Sequence, residues 1–187
     1  MVIAGVYLLM RLIPVMGPVA LTLAVFVGGI TAVIAAYSAI AQTDIKKVLA
    51  YSTISQLGFM VMGMGTGHYE WSFLHLVTHA FFKAGLFLVA GAIIHALHTL
   101  QHDLKAKGVE ADFDPQDIRW MGGLRAQMPK TFTLYLIFTA ALMGLPFFSG
   151  FISKDGILAS VMDFGQRAEM QQHLGFLSWF PALMGFF

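Results

Sequence analysis

His75, His79 and Lys83 follow one another at four-residue steps inside the apolar run from Trp71 to Leu97. On an α-helix that spacing keeps the three side chains within about 80° of one face. The trio then spans about 12 Å along the axis. Imidazoles and amines gain and lose protons, and bridging waters can join such groups into a proton wire. Ionisable side chains at membrane depth are rare and persist mostly where a proton or ion must pass. A second lysine, Lys154, stands in another apolar run just after the helix-breaking stretch Gly144-Leu-Pro-Phe-Phe-Ser-Gly150. Discontinuous membrane helices expose unpaired backbone groups that bind ions or water near the midplane. Asp155 follows Lys154 at about 100° around a helix. The chemistry these residues could perform is proton transfer inside a membrane. The plainer alternatives are core histidines bonded to neighbouring helices, a snorkelling Lys154, and an Asp155 at the interface.

A metal site fits poorly. His75 and His79 have zincin-like i, i+4 spacing, but Leu76 stands where that pattern needs a glutamate. The chain has no cysteine, so thiolate sites, iron–sulfur clusters and disulfides are excluded within it.

Those residues need a membrane around them, and the composition supplies one. Of 187 residues 58% are hydrophobic and 11% charged, against about 25% charged in an ordinary soluble domain. Mean hydropathy is +0.75. A net charge of +1 and the lack of a basic run interleaved with aromatics give no sign of a nucleic-acid partner. The 12 methionines and 17 phenylalanines read as packing and lipid-facing residues rather than a cofactor box. No charged region precedes the first apolar run, so no cleavable signal is read there.

A crossing helix needs about 20 apolar residues. Val19 to Gln42, Val48 to Thr66 and Trp71 to Leu97 meet that length, and Thr131 to Met162 reads as two half-helices parted by the Gly-Leu-Pro break. Val2 to Ile13 is short, and Leu174 to Phe187 stops before a full span, so a fragment cut at both ends is expected. The architecture expected is an all-α, polytopic transmembrane helix bundle forming one partial domain over 1–187. A polar loop over about 101–130 reads as solvated, with a turn at Asp114-Pro115.

Alternating helix direction puts the Thr43–Lys47 turn and the 101–130 segment on one side. They carry Lys46, Lys47, Lys105, Lys107, Arg119, Arg125 and Lys130, against Arg11 and Arg167 on the other. The positive-inside rule makes the basic side cytoplasmic. Asp44 reads as an acid favoured at a helix N-terminus. Ser52, Thr53, Ser55 and Gln56 read as structural groups that bond across helices or hold water. His95, His98 and His102, near the cytoplasmic end of the third helix, extend a path to bulk water or mark the interface.

Four strings occur in order: Thr43-Asp-Ile-Lys-Lys-Val-Leu-Ala-Tyr-Ser-Thr-Ile-Ser-Gln-Leu-Gly-Phe59, His75-Leu-Val-Thr-His-Ala-Phe-Phe-Lys-Ala84, Met121-Gly-Gly-Leu-Arg125 and Gly150-Phe-Ile-Ser-Lys-Asp155. Over essentially its whole length the chain resembles the antiporter-like membrane subunits of respiratory complex I, NADH–quinone oxidoreductase, of the chain 5 or L-chain kind. Related multisubunit sodium/proton antiporters share much of the pattern. The resemblance implies a bundle of about fourteen helices holding two inverted five-helix repeats, each with one broken helix and one proton half-channel. This chain corresponds to most of the second repeat, without the upstream repeat or the C-terminal lateral helix. It also implies that His75, His79 and Lys83 are central proton-path positions, that Lys154 is the broken-helix lysine, and that Asp155 is its acidic neighbour. Gly156 stands where the family often has a glutamate, and the 101–130 segment is longer than in many members.

The function so implied is proton translocation coupled to quinone reduction in complex I, in a bacterial inner membrane. NADH, flavin (FMN), iron–sulfur clusters and quinone would belong to partner subunits, with no cofactor in this chain. Expected partners are the other complex I membrane subunits, the lipid bilayer and the missing N-terminal half as a separate chain. The alternatives are a subunit of a sodium/proton antiporter assembly and a truncated structural fragment without transport of its own.

Overall fold

The structure, a computed structural model, describes residues 2–109 and 113–170. The apolar run Leu174 to Phe187 lies outside the described residues. Helix α1 (Val2–Leu12) leads through a 3-10 turn at Ile13–Val15 into α2 (Pro18–Ile40), and α3 (Ile45–Gly65) and α4 (Tyr69–Ala106) follow. A short α5 (Leu124–Gln127) precedes α6 (Pro129–Met143) and α7 (Ser149–Met170). Helices α2, α3 and α4 are each long and apolar enough to cross a membrane. The outward faces are apolar too: Phe81 and Leu88 are each 74% exposed and Val19 is 73%. Facing water, such a surface would drive association; facing lipid, it is the expected exterior.

Each span starts and stops for a local reason. Asp44 caps α3, its carboxylate accepting from the backbone N–H groups of Lys46 and Lys47 at 2.8 and 3.3 Å. This satisfies two of the N–H groups that every helix start leaves unpaired. Proline begins α2 and α6, where its missing N–H costs nothing. Helices α2 and α3 pack backbone to backbone: a Cβ on Gly58 would stand 2.7 Å from the Ala32 nitrogen and 2.8 Å from the Gly28 oxygen. Membrane helices associate through such small-residue contacts, because lipid provides no hydrophobic drive between them. Ser55 closes the pair with a bond to the Ala32 carbonyl at 2.8 Å.

The expected third span is shorter than the helix observed. Helix α4 has 38 residues, or about 57 Å at 1.5 Å per residue, against a hydrocarbon core of about 30 Å. Its last turns, Gln101 to Ala106, belong to the stretch read as loop. Their polar side chains suit a solvated helix, which ends where Gly108 takes φ +76°. The rest of that stretch returns to the α2–α3 turn. The Ile45 N–H donates to the Gln116 carbonyl at 3.0 Å, and the Ile118 N–H to the Thr43 carbonyl at 2.9 Å. Asp117, buried under this bridge, forms a bidentate pair with Arg119. At the opposite end Asp163 pairs with Arg167 at 2.8 Å and lies 3.6 Å from His68, in the α3–α4 turn. These ties place the two basic segments together and Arg167 at the far end, as helix alternation requires.

The break between α6 and α7 is built by three residues. Gly144 ends α6 at φ +77°, a left-handed conformation that a Cβ makes unfavourable. Pro146 has no N–H to continue the ladder. Phe147 sits at φ +74° with its side chain fully exposed. The two half-helices then touch at Gly150, where a Cβ would collide with the Ala141 carbonyl.

Candidate proton-transfer site

The four-residue spacing on α4 produces what it promises: His75, His79 and Lys83 lie on one face and are 0%, 1% and 5% exposed. Their cover comes from this chain, with α3 on one side and α6 and α7 on the other. Helices α3 and α7 close over the row, so these three residues are shielded from lipid within the chain itself.

His75 is clamped from both sides. Gln56 of α3 places its Oε1 at 2.9 Å from Nε2, and Ser153 of α7 places its Oγ at 2.8 Å from Nδ1. Phe59 and Phe82 border the ring at centroid distances of 6.0 and 6.3 Å.

His79 differs. Its ring lies 6.0 Å from that of His75 and meets Phe82 edge-on at 5.3 Å, and neither nitrogen has a hydrogen-bond partner among the described residues. An unpaired buried polar group is costly, and ordered water is the usual remedy. The Thr139 hydroxyl of α6 is buried and unpartnered in the same way.

Lys83 donates to the Leu49 carbonyl at 3.0 Å and to the Ser52 Oγ at 2.5 Å, and Ser52 donates onward to Leu49 at 3.0 Å. The chain of donors runs in one direction, as an ammonium group with three hydrogens and no acceptor requires.

Lys154 stands one turn into α7 and reaches back across the break to the Leu142 carbonyl at 2.5 Å. That carbonyl would bond the nitrogen four residues on, but the residue there is Pro146, which has no hydrogen to give. The lysine fills the vacancy, and also joins the two half-helices. Asp155 is exposed, on a different face of α7 from the half-buried Lys154. Gly156 is buried against the indole of Trp71, which occupies the space any side chain at 156 would need.

His95, His98 and His102 are exposed on the last part of α4, apart from the buried row. Ser52 and Gln56, expected to be structural groups, and Ser153, not among the expected site residues, all touch the titratable groups. Ser153 has one signal in the sequence: it immediately precedes Lys154, after the break.

The family described as NADH:quinone oxidoreductase/Mrp antiporter, TM, matches residues 1–177. The chain belongs to that family. It is 45% identical over 98% of its length to NADH-ubiquinone oxidoreductase chain 5 of Metridium senile, of which the alignment covers 28%. It is 47% identical, again over 98%, to NAD(P)H-quinone oxidoreductase chain 5 of Synechocystis, covering 25% of that protein. A chloroplastic subunit 5 from Chaetosphaeridium globosum is 42% identical over the whole chain and 26% of its own length. The chain thus spans about a quarter of the length of the relatives it matches. Family and helices together make it a transmembrane helix bundle, with one broken helix among the described residues.

Proposed function

We propose that this chain forms a proton-transfer segment of an antiporter-like membrane subunit of a proton-translocating NADH:quinone oxidoreductase. The observation that carries the reading is the buried row His75–His79–Lys83, with Lys154 at the helix break beside it. Lys83 and Lys154 load and release protons, and His75 and His79 relay between them through water. Asp155 is the exposed acid at the outer edge of this set. Redox chemistry, with NADH, FMN, iron–sulfur clusters and quinone, belongs to partner subunits, and this chain adds no cofactor. The membrane is a bacterial inner membrane, with the basic side carrying the Thr43–Lys47 turn and the 101–130 segment toward the cytoplasm. Further complex I membrane subunits complete the assembly.

Lys83→Met tests the reading, because it keeps the length of the side chain and removes the exchangeable charge. In the assembled complex, reconstituted into vesicles, it is expected to cut the protons moved per NADH oxidised and leave assembly intact. Normal stoichiometry would remove Lys83 from the path. The family also includes Mrp antiporters, which supports a second reading as sodium/proton exchange. Sodium-dependent proton flux without NADH would favour that machine. No flux in either assay, from an assembled protein, would leave a structural segment.

A further inference from the structure

We propose that Ser153 is a hydroxyl rotor that couples the protonation of His75 to the first turn of α7, and through that turn to Lys154. The inference rests on the proton-path reading above. Two bonds hold the His75 ring. A neutral imidazole has one donor and one acceptor nitrogen. The Gln56 oxygen faces Nε2 at 2.9 Å, so Nε2 carries the hydrogen and Nδ1 a lone pair. The Ser153 hydroxyl, 2.8 Å away, must then donate to Nδ1.

Once protonated, the ring donates from both nitrogens. Ser153 can no longer point its hydrogen at Nδ1 and must accept instead. Its hydrogen has somewhere to go: the Gly150 carbonyl is nearest at 3.3 Å from Oγ, with the Ser149 carbonyl and the Thr78 hydroxyl of α4 each at 3.4 Å. The step balances. A proton delivered by water to Oγ forms one O–H bond as the original hydroxyl proton moves to Nδ1 and forms one N–H bond. Ser153 ends with a single hydrogen, now directed along α7, and the imidazole holds the added charge.

The carbonyl that receives the turned hydroxyl is well placed to pass the change on. In an α-helix the Gly150 carbonyl bonds the N–H of Lys154. A second donor on that oxygen competes with the Lys154 amide, in the turn where Gly150 lies against the Ala141 carbonyl. From that turn the Lys154 ammonium spans the break to Leu142. Ser153 is therefore a relay residue: it passes its proton to Nδ1, ends with no net charge, and links a group on α4 to the joint between the half-helices.

The titratable groups around His75 are His79 and Lys83 on its own helix and Lys154 on α7. Helix α3 presents Gln56 and Ser52 at this face, α2 carries no charged residue, and the only charged residue of α6, Lys130, lies at its first turn.

The test compares Ser153→Ala with Lys83→Met in the full-length subunit within the assembled, reconstituted complex. Proton translocation is followed as a function of pH, and assembly is checked by native gel. A positioned proton-transfer group contributes about 100-fold or more, so Ser153→Ala is expected to slow translocation by about tenfold or more and to displace its pH profile. If Ser153→Ala does not assemble, Ser153→Cys, of similar size but a weak donor and acceptor, is read in the same way. Parental rate and pH profile in the serine variant, beside a Lys83→Met that does not pump, would overturn the rotor and leave the proton path standing. Slow pumping with an unmoved pH profile would also overturn it, since that is the mark of damaged packing. A Lys83→Met that pumps normally would remove the underlying reading.

Discussion

At the scale of single residues the site pairs each of two proton-exchanging groups with a hydroxyl. Lys83 meets Ser52, and His75 meets Ser153. A hydroxyl is suited to that place because it can donate or accept after a simple rotation. Hydrogen bonds to charged groups contribute about 1.5–3 kcal/mol, so Ser52→Ala should weaken the hold on the Lys83 ammonium by about that amount. The Leu49 carbonyl would remain as its acceptor. The expected outcome is a subunit that assembles and translocates protons more slowly than the parent, measured against NADH oxidation in vesicles. Translocation at the parental rate would show that the Ser52 contact has no part in the path. The row on α4 is legible in the amino-acid sequence, since helical periodicity fixes which residues share a face. The parts played by Ser52, Gln56 and Ser153 are not. Each matters only through the register of α3 or α7 against α4, and that register is set by contacts such as the Ser72 hydroxyl on the Met60 carbonyl and Trp71 on Gly156.

At the scale of elements, the break after α6 and the tie at the basic face do separate work. The Gly-Leu-Pro stretch marks the break in the sequence. It does not disclose the Leu142 carbonyl that Pro146 leaves unpaired, nor that Lys154 fills it, because both depend on how the half-helices meet. Gly144→Ala tests the joint. A Cβ at φ +77° costs about 1–2 kcal/mol, and here it would also stand 3.2 Å from the Lys154 side chain. The variant should lower the melting temperature of the purified complex and reduce translocation together; a change in neither would mean the turn tolerates a side chain. At the basic face, the Arg119 side chain and backbone N–H hold the Asp117 carboxyl below the usual carboxylate range. A carboxyl with a depressed pKa stabilises the folded form above its unfolded pKa, and that contribution disappears as pH falls through the lower, folded value. The bridge between residues 116–118 and the start of α3 should therefore hold at neutral pH and loosen only in acid. Hydrogen exchange at the Ile45 and Ile118 amides measures this, and Asp117→Asn should raise exchange at neutral pH. Equal protection in the variant would show that backbone pairing alone holds the bridge.

At the scale of the molecule, burial divides the candidate residues into two sets. His75, His79 and Lys83 are enclosed by helices of this chain, whereas Lys154 is half-buried and Asp155 is exposed. A carboxylate facing hydrocarbon is expensive and is kept only where it meets water or a partner group. The face of α7 bearing Asp155 therefore meets either water or a neighbouring subunit, and the proposed assembly predicts the neighbour. The chain has no cysteine of its own, so a single introduced cysteine is the label site within this chain, and labelling is read on this chain after it is separated from any partner. Asp155→Cys should react with a membrane-impermeant maleimide when this chain is expressed alone in permeabilised membranes. In the full complex it should become protected. Ser160→Cys, at a position only 5% exposed, should stay unreactive in both. Equal labelling of Asp155→Cys in the two states would mean that water, and no neighbouring subunit, meets the carboxylate. The broken helix would then open directly to the aqueous phase on that side. Protection would mean that the path through Lys154 is completed by a residue from outside this chain, and the partner that shields it would be the place to look for the next proton-exchanging group.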